Sequence, residues 1–583
     1  MTNLKWWQKA VFYQIYPRSF ADGNGDGLGD VPGMIDRLDY LQDLGIDALW
    51  LSPHYPSPNF DVGYDISDYT GVAPEYGTLD DFRRFLDGAH QRGLRVILDL
   101  VLNHTSHLHP WFIESRSSRD NPKRDWYVWR PPSQPSPRSQ GEGRVGGPPN
   151  NWYSTFGGSA WEYDSATGQY YYHFFLKEQP DLNWRNAALK EAMWEAVRFW
   201  LDMGVDGYRL DAIGTIYENP ALPDHRAEMT QDEMRRTFHA SFPDRPDKKF
   251  VKQWELMYGE QVEQEGVHEL MQELRAVVDG YRDPPRVLVG ENDYISYYGD
   301  GDNELHLVFN FPLMRTSRLM PAWIRANQQV RLAALPPGAW PCNTLNNHDS
   351  PRMYSRFGDG QAAHDAALAR LHLALMLTLR GTPFLYNGEE IGMTNYHLTD
   401  INLFRDPPGV WFYNSEVADG TLPDKALAAA AEYTRDRCRT PMQWANAPNA
   451  GFSPAGVSTW LPVNPNYAQG VNVAEQQSDP DSMLNFYKRM LRFRKQTPAL
   501  IAGDYTPLHE KAEDYFAFLR RSAEAGQTCL VVLNTSDKAH TLNFELTPRA
   551  ARCLFSTSKT EGARHDLVEL KIAPFEIYIG ELV

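Results

Sequence analysis

Three carboxylates and one guanidinium are the residues of this sequence best placed to do chemistry. The heptapeptide Asp206-Gly-Tyr-Arg-Leu-Asp-Ala212 reads as a short buried strand that stops at charge. Residues two apart on a strand project from the same face, so Arg209 and Asp211 point together beyond the strand end. In isolation such a pair is commonly a satisfied ion pair at a sheet terminus. Three other strand-like runs also lead to carboxylates. Residues 95–101 carry Asp99 and lead to Asn103 and His104, residues 286–290 lead to Glu291, and residues 342–347 lead to His348 and Asp349. Like charges gathered in one place raise one another's proton affinity, which a fold tolerates mainly where chemistry uses it. Paired carboxylates suit cleavage of a glycosidic bond, one attacking or stabilising and the other donating a proton. Arg209 would keep Asp211 ionised, and the apolar lead-in Val287-Leu-Val-Gly290 favours a protonated Glu291. On these grounds alone Glu389 and Glu390, which also follow a strand-like run, stay open as proton donors.

Such residues need a scaffold that brings distant strand ends to one mouth. Strand-like runs at 11–16, 47–53, 95–101, 206–212, 286–291, 307–311, 342–347 and 383–386 alternate with helical patterns. The latter include 34–44, 79–92 with Thr78 as cap, 196–203 and 364–379. This rhythm predicts an α/β fold, a (β/α)8 TIM barrel whose strand C-termini share one face. A polar, aromatic stretch after the third strand predicts a small inserted domain. A switch to short strands near residue 501 predicts a C-terminal antiparallel β-sandwich. The expected boundaries are 1–104 and 179–500 for the barrel, 105–178 for the insert and 501–583 for the C-terminal domain. Within the insert, the Pro/Gly/Ser-rich segment 131–150 reads as a disordered surface loop. The long excursion 391–479 would wall the active face.

Composition narrows the partners. A chain of 583 residues exceeds a single core. Its 17 Trp and 30 Tyr supply rings with polar edges, suited to flat hydroxylated ligands. A net charge of −18 argues against nucleic acid and anionic membranes and leaves a neutral small molecule. Neither a secretory leader nor a run of 18 apolar residues is visible, so a cytoplasmic protein is expected, as monomer or homodimer. Cys342, Cys438, Cys529 and Cys553 are widely spaced and read as reduced thiols. The loop Asp22-Gly-Asn-Gly-Asp-Gly-Leu-Gly-Asp30 places oxygen donors at Asp22, Asn24, Asp26, the Leu28 carbonyl and Asp30. That is the spacing of an EF-hand loop, except that Gly33 stands where its bidentate Glu would be. One structural Ca²⁺ (or Mg²⁺) is expected there, and no cofactor for catalysis.

Taken in order, Asp99-Leu-Val-Leu-Asn-His104, Gly207-Tyr-Arg-Leu-Asp211, Val289-Gly-Glu291 and Asn347-His-Asp349 resemble the four signature regions of the α-amylase superfamily of glycoside hydrolases (family 13). Gln179-Pro-Asp-Leu-Asn183, residues 7–30 and Arg439-Thr-Pro-Met-Gln-Trp444 resemble its oligo-1,6-glucosidase and α-glucosidase branch. The resemblance implies a retaining α-glucosidase. Asp211 would be the nucleophile, Glu291 the general acid and then base, and Asp349 the transition-state stabiliser. The two reacting carboxyls would lie about 5–5.5 Å apart. It also implies that His104, Arg209 and His348 hold the glucose, that Asp61 and Tyr64 close the pocket, and that Gln179 and Phe174, with Phe175, line it. Arg439 would pair with Asp61 and block a further subsite. In similar enzymes the residue after the nucleophile touches the next sugar. Ala212 there implies α-1,4 over α-1,6 preference, hence maltose and short malto-oligosaccharides. The same resemblance admits an α-1,6-preferring oligo-1,6-glucosidase, or a glucosyl-transferring or maltose-to-trehalose isomerising relative, the latter suggested by residues 298–306 and 311–314. A non-catalytic transporter-associated relative would carry a membrane span and lack part of the acidic triad.

Overall fold

The computed structural model describes residues 4–133, 146–241 and 247–583. Eight short runs, Phe12–Ile15, Ala48–Leu51, Arg95–Val101, Gly207–Asp211, Val287–Gly290, Leu307–Val308, Cys342–Thr344 and Thr382–Tyr386, form one parallel sheet. Every strand of the expected barrel is therefore present. The hydrogen-bonded order is seventh, eighth, first, second, third, fourth, fifth, sixth, so the eighth strand pairs with the first and the sheet curls on itself. Side chains bridge the remaining seam, where Asn310 Nδ2 donates to Asn343 Oδ1 at 3.1 Å. The sixth strand is shorter than its sequence suggests because Pro312 helps to start a helical turn at Phe311–Met314. At the base of the fourth strand Gly207 has φ 147°, and a side-chain carbon there would meet the Val287 carbonyl oxygen at 2.0 Å. Glycine thus lets the fourth and fifth strands approach.

Helices cover the outside. Thr78 and Asp81 form a capping box on Leu79–Gln91, which buries Phe82, Phe85, Leu86 and Ala89 against the sheet. Asn186 caps Ala187–Met203, the helix leading into the fourth strand, and Gly204 ends it in left-handed geometry. The pattern over 34–44 resolves into two helices, Val31–Asp36 and Leu38–Leu44, rather than one. They meet at Arg37, whose guanidinium sits 4.2 Å over the Trp444 ring.

Between the third and fourth barrel strands a three-stranded antiparallel sheet (Trp129–Arg130, Trp161–Asp164, Gln169–Tyr172) packs its rings around Trp152 and Phe174. Residues 134–145 of the segment expected to be a disordered loop lie outside the described residues. From Asp504 to Leu582 the chain builds a six-stranded antiparallel sheet, with a second, two-stranded sheet. Alternation along Tyr515–Ser522 sends Phe516 and Phe518 into the barrel-side core and Ala517 and Leu519 into the core beneath the small sheet. Two buried arginines join the units. Arg520 donates to the Thr378 and Gly503 carbonyls, and Arg494 to those of Leu377 and Leu500 at 2.7 and 2.8 Å. They satisfy carbonyl groups at the C-terminal end of the helix Ala362–Thr378. All four cysteines are buried and unpaired by disulfides. Among the described residues no helix is long and apolar enough to cross a membrane.

Candidate active site

The strand C-termini deliver one connected polar network. Arg209, on the fourth strand, donates through Nη1 to Asp99 Oδ1 at 2.7 Å and to Asp211 Oδ1 at 2.6 Å. Its Nη2 lies 2.7 Å from Glu291 Oε2. One guanidinium thus holds carboxylates from the third, fourth and fifth strands. Ala212 enters left-handed geometry (φ 41°, ψ 44°), and its N–H donates to Glu291 Oε2 at 2.9 Å. Arg209 and Asp99 have no side-chain exposure, whereas Asp211, Glu291 and Asp349 keep 12, 21 and 29 %. Those three can therefore touch a ligand while the other two act from behind.

His348 links the two halves of the site. Its Nδ1 accepts from Gln14 Nε2 at 2.7 Å, which leaves its Nε2–H 2.6 Å from Tyr64 Oη and 3.3 Å from Asp349 Oδ2. The Tyr64 ring stacks on the imidazole, with centroids 5.5 Å apart and planes at 7°, and its hydroxyl donates to Asp99 Oδ2 at 3.2 Å. His104 Nε2 sits 2.9 Å from Gln179 Nε2, and Gln179 also donates to Asp61 Oδ2 at 3.2 Å.

The far side differs from expectation. Arg435, not Arg439, pairs with Asp61, with Nη2 donating to Asp61 Oδ1 at 2.9 Å. Arg435 also reaches Asp349 Oδ1 at 3.2 Å and Asp406 Oδ1 at 2.6 Å. Arg439 instead turns inward, 5.4 Å over the Tyr16 ring, donating to the His348 carbonyl at 2.8 Å and to Asp349 Oδ1 at 2.6 Å. The physical reason is local. Arg435–Cys438 is a 3-10 turn, so the two arginines leave it at different heights and Arg435 stands nearer the mouth. Phe174 is also misplaced by the sequence reading. It is only 4 % exposed and packs on Tyr258, while the half-buried Phe175 is the neighbour whose ring meets His104, at 5.2 Å.

A family model described as alpha amylase, catalytic domain, matches residues 14–503. The chain belongs to the α-amylase family of glycoside hydrolases. A second model, the maltogenic amylase C-terminal domain, matches residues 505–579. Relatives of this α-amylase-family chain include an oligo-1,6-glucosidase from Parageobacillus thermoglucosidasius, 39 % identical over 600 residues and covering 99 % of each chain. An α-glucosidase from Pediococcus pentosaceus is 38 % identical, covering 100 % of this chain and 99 % of its own. Among solved structures, a trehalulose synthase variant in complex with Tris superposes with a TM-score of 0.85 at 37 % identity, covering 99 % of this chain and all of that one.

Electrostatics in this α-amylase-family site follow from three carboxylates around one guanidinium. Burial, opposed by Arg209, pushes the Asp99 carboxyl up to about 6. Burial also raises Asp211, helped by Glu291 and Asp99 and opposed by Arg209. The expectation that Arg209 alone fixes Asp211 as a carboxylate is thus incomplete, because negative charge in the cluster exceeds positive and favours keeping a proton within it. Asp349 behaves oppositely. Burial would raise it, but His348, Arg435 and Arg439 outweigh that and hold it below the usual carboxylate range. Since burial keeps His348 itself neutral, the two guanidiniums are the lasting part of that pull. His104 is likewise pushed by burial down to about 3 and stays neutral.

Sequence reasoning missed Arg435, Asp406 and Gln14. Arg435 opens a single 3-10 turn within a long irregular excursion, so no periodic signal in the sequence pointed to it. Glu389 and Glu390 lie elsewhere. Glu390 accepts from Tyr13 and Tyr40 hydroxyls at 2.7 Å each, and Glu389 from Tyr487 at 3.4 Å. In the 22–30 loop the side chains serve the backbone. Asp22 accepts from Gly25 and Gly27 N–H at 2.6 and 2.8 Å, Asp26 from Leu28 at 2.9 Å, and Asp30 caps the helix at Val31 by accepting from Gly33 at 2.7 Å. Asn24 accepts from Asp26 N–H at 2.9 Å. Among the described residues no three His, Cys, Asp or Glu side chains gather as a metal cluster. The donors in the loop are nonetheless all oxygens, the chemistry of a hard cation.

Proposed function

We propose that this chain is a retaining, exo-acting α-glucosidase that releases terminal glucose from maltose and short α-1,4-linked oligosaccharides. The observation that carries the reading is the shared guanidinium. Arg209 holds Asp211 and Glu291 side by side, each keeping a small part of its side chain accessible, while Asp349 hangs from a separate pair of arginines. An Asp211 oxygen attacks the anomeric carbon as Glu291 gives its proton to the departing glycosidic oxygen, leaving a covalent glucosyl-enzyme. Glu291 then takes a proton from water, which attacks the same carbon and releases Asp211. Asp349, held ionised, faces the positive charge that develops at the sugar ring. Asp61, braced by Arg435, with Tyr64, His104, Gln179 and His348, closes the pocket around one glucose, and the names of the curated relatives support that substrate class.

Ala212 supports α-1,4 preference because its single methyl leaves room where the next sugar leaves C1. Transfer of the glucosyl group to a sugar is the second reading, favoured by the trehalulose synthase likeness. For the 22–30 loop we infer a structural Ca²⁺ or Mg²⁺ on Asp22, Asn24, Asp26, the Leu28 carbonyl and Asp30, supplying rigidity rather than catalysis. The test is product analysis on maltose, isomaltose, sucrose and trehalose in parallel. Glucose from maltose at the highest kcat/KM, lost in Asp211→Ala, is expected. A preference for isomaltose overturns the linkage assignment, and sugar products in place of glucose overturn hydrolysis.

A further inference from the structure

Gln14 is a buried amide on the first barrel strand, a place where stability alone favours an apolar side chain. Its Nε2 donates to Ser52 Oγ at 2.9 Å and lies 2.7 Å from His348 Nδ1. Its Oε1 is buried with no hydrogen-bond donor among the described residues. An orphaned carbonyl costs free energy, so the value of this amide lies in what its two N–H groups do.

A neutral imidazole carries one N–H, and the contact made by one ring nitrogen decides which atom bears it. Were His348 protonated on Nδ1, its Nε2 would turn a bare lone pair to Asp349 Oδ2, 3.3 Å away. Arg435 and Arg439 hold that carboxylate ionised, so two lone pairs would face each other. Donation from Gln14 to Nδ1 puts the N–H on Nε2 instead, toward Tyr64 Oη at 2.6 Å and Asp349. Tyr64 then has its own proton free for Asp99 Oδ2 at 3.2 Å, while the other oxygen of Asp99 takes Arg209 at 2.7 Å. Donation thus runs one way, from Gln14 through His348 and Tyr64 to Asp99. If His348 were reversed, Tyr64 would have to donate to Nε2, and Asp99 Oδ2 would keep only the Trp50 N–H at 3.1 Å.

We propose that Gln14 is a positioning residue, holding His348 in the tautomer that steadies Asp349 and, through Tyr64 and Asp99, the Arg209 cluster. Its consequence for turnover rests on the glucosidase reading. The other neighbours of the imidazole do not choose between its nitrogens. Tyr16 and Tyr64 stack on the ring, each with centroids 5.5 Å away. Arg439 and the Cys438 thiol meet its backbone carbonyl. Asp349 attracts a second proton to the ring, while burial and the charges of Arg209, Arg435 and Arg439 oppose one.

The test uses the full-length chain with Gln14→Met, similar in length but unable to donate, and Gln14→Glu. In Gln14→Met, kcat for maltose should fall about ten-fold at every pH, with KM little changed. In Gln14→Glu the introduced carboxyl and the imidazole share one extra proton at low pH, and either holder leaves the N–H on Nε2. Once that proton leaves, the carboxylate draws the remaining one to Nδ1 and strips Nε2. Gln14→Glu should therefore approach wild-type kcat at low pH and lose it as pH rises, its basic limb displaced by at least about one unit to lower pH. Uniform loss in both variants with an undisplaced limb is the signature of packing alone and overturns the assignment, as does wild-type kcat in Gln14→Met. Proton–nitrogen NMR of the histidine-labelled chain reads the tautomer without substrate, His348 being identified by the signals lost in His348→Gln. The wild-type proton should sit on Nε2, and that of Gln14→Glu above its basic limb on Nδ1. A wild-type proton on Nδ1 overturns the assignment. If the wild-type chain cleaves no glucoside but the spectra reverse in this way, the glucosidase reading falls and the control of His348 by Gln14 stands.

Discussion

Arg435 is the residue on which the closed end of the site turns. It touches Asp61, Asp349 and Asp406 at once, so Arg435→Ala leaves three carboxylates short of a partner. Removing one member of such a buried pair costs about 2–5 kcal/mol. The expected result is a fall of at least about 30-fold in kcat/KM for maltose, partly rescued by Arg435→Lys, with a lowered Tm. Ala212 offers a second measurement. Ala212→Val places a β-branched side chain in left-handed geometry, at a cost of about 1–3 kcal/mol, and crowds the departing sugar. The ratio of isomaltose to maltose kcat/KM should rise while stability drops. An unchanged ratio would remove the basis for the linkage assignment. At this scale the sequence was informative where residue type and strand position coincide, as at Arg209, Asp211, Glu291 and His348. It was silent on Arg435 because that partner comes from an irregular excursion whose path no periodicity reveals.

Elements were more legible than contacts. All eight barrel strands could be read, since each is a short β-rich run between helical periods, and both faces of a barrel strand are covered. The turn after the eighth strand could not be assigned a role from sequence, and its structure explains why it is acidic yet quiet. Burial, with Glu390 beside it, pushes Glu389 up to about 8, while Asn346 and Arg352 pull the other way and Tyr487 donates from the helix Met483–Gln496. Between the ordinary value of 4.5 and about 8 the folded chain keeps a proton that the unfolded chain has released. Stability contributed by this group therefore falls as pH rises through that window. Thermal melts from pH 5 to pH 8 should show a steeper loss for the wild-type chain than for Glu389→Gln. Parallel profiles would mean that Glu389 is ionised in the fold.

Across the whole molecule, the 22–30 loop is a clasp as well as an inferred cation site. Ser453 donates to Asp22 Oδ2 at 2.6 Å and Trp460 N–H to the Gly27 carbonyl at 3.0 Å, so the loop pins the excursion after the eighth strand to the first strand's exit. A bound cation stabilises only the folded chain. Chelation with EDTA should lower Tm by a few degrees, and added Ca²⁺ should restore it. A melt indifferent to both would show that the backbone N–H groups alone satisfy the loop.

The Asp61–Arg435 pair spans 374 positions of sequence. A ribosome threads the chain from the N-terminal end, so the wall of the sugar pocket is made long before its closing cation emerges. Until then Asp61 has no guanidinium to meet, and even a finished set of eight strands would lack its stopper. Competence to hold a sugar is thus deferred to a late moment of translation, whatever order the strands themselves take.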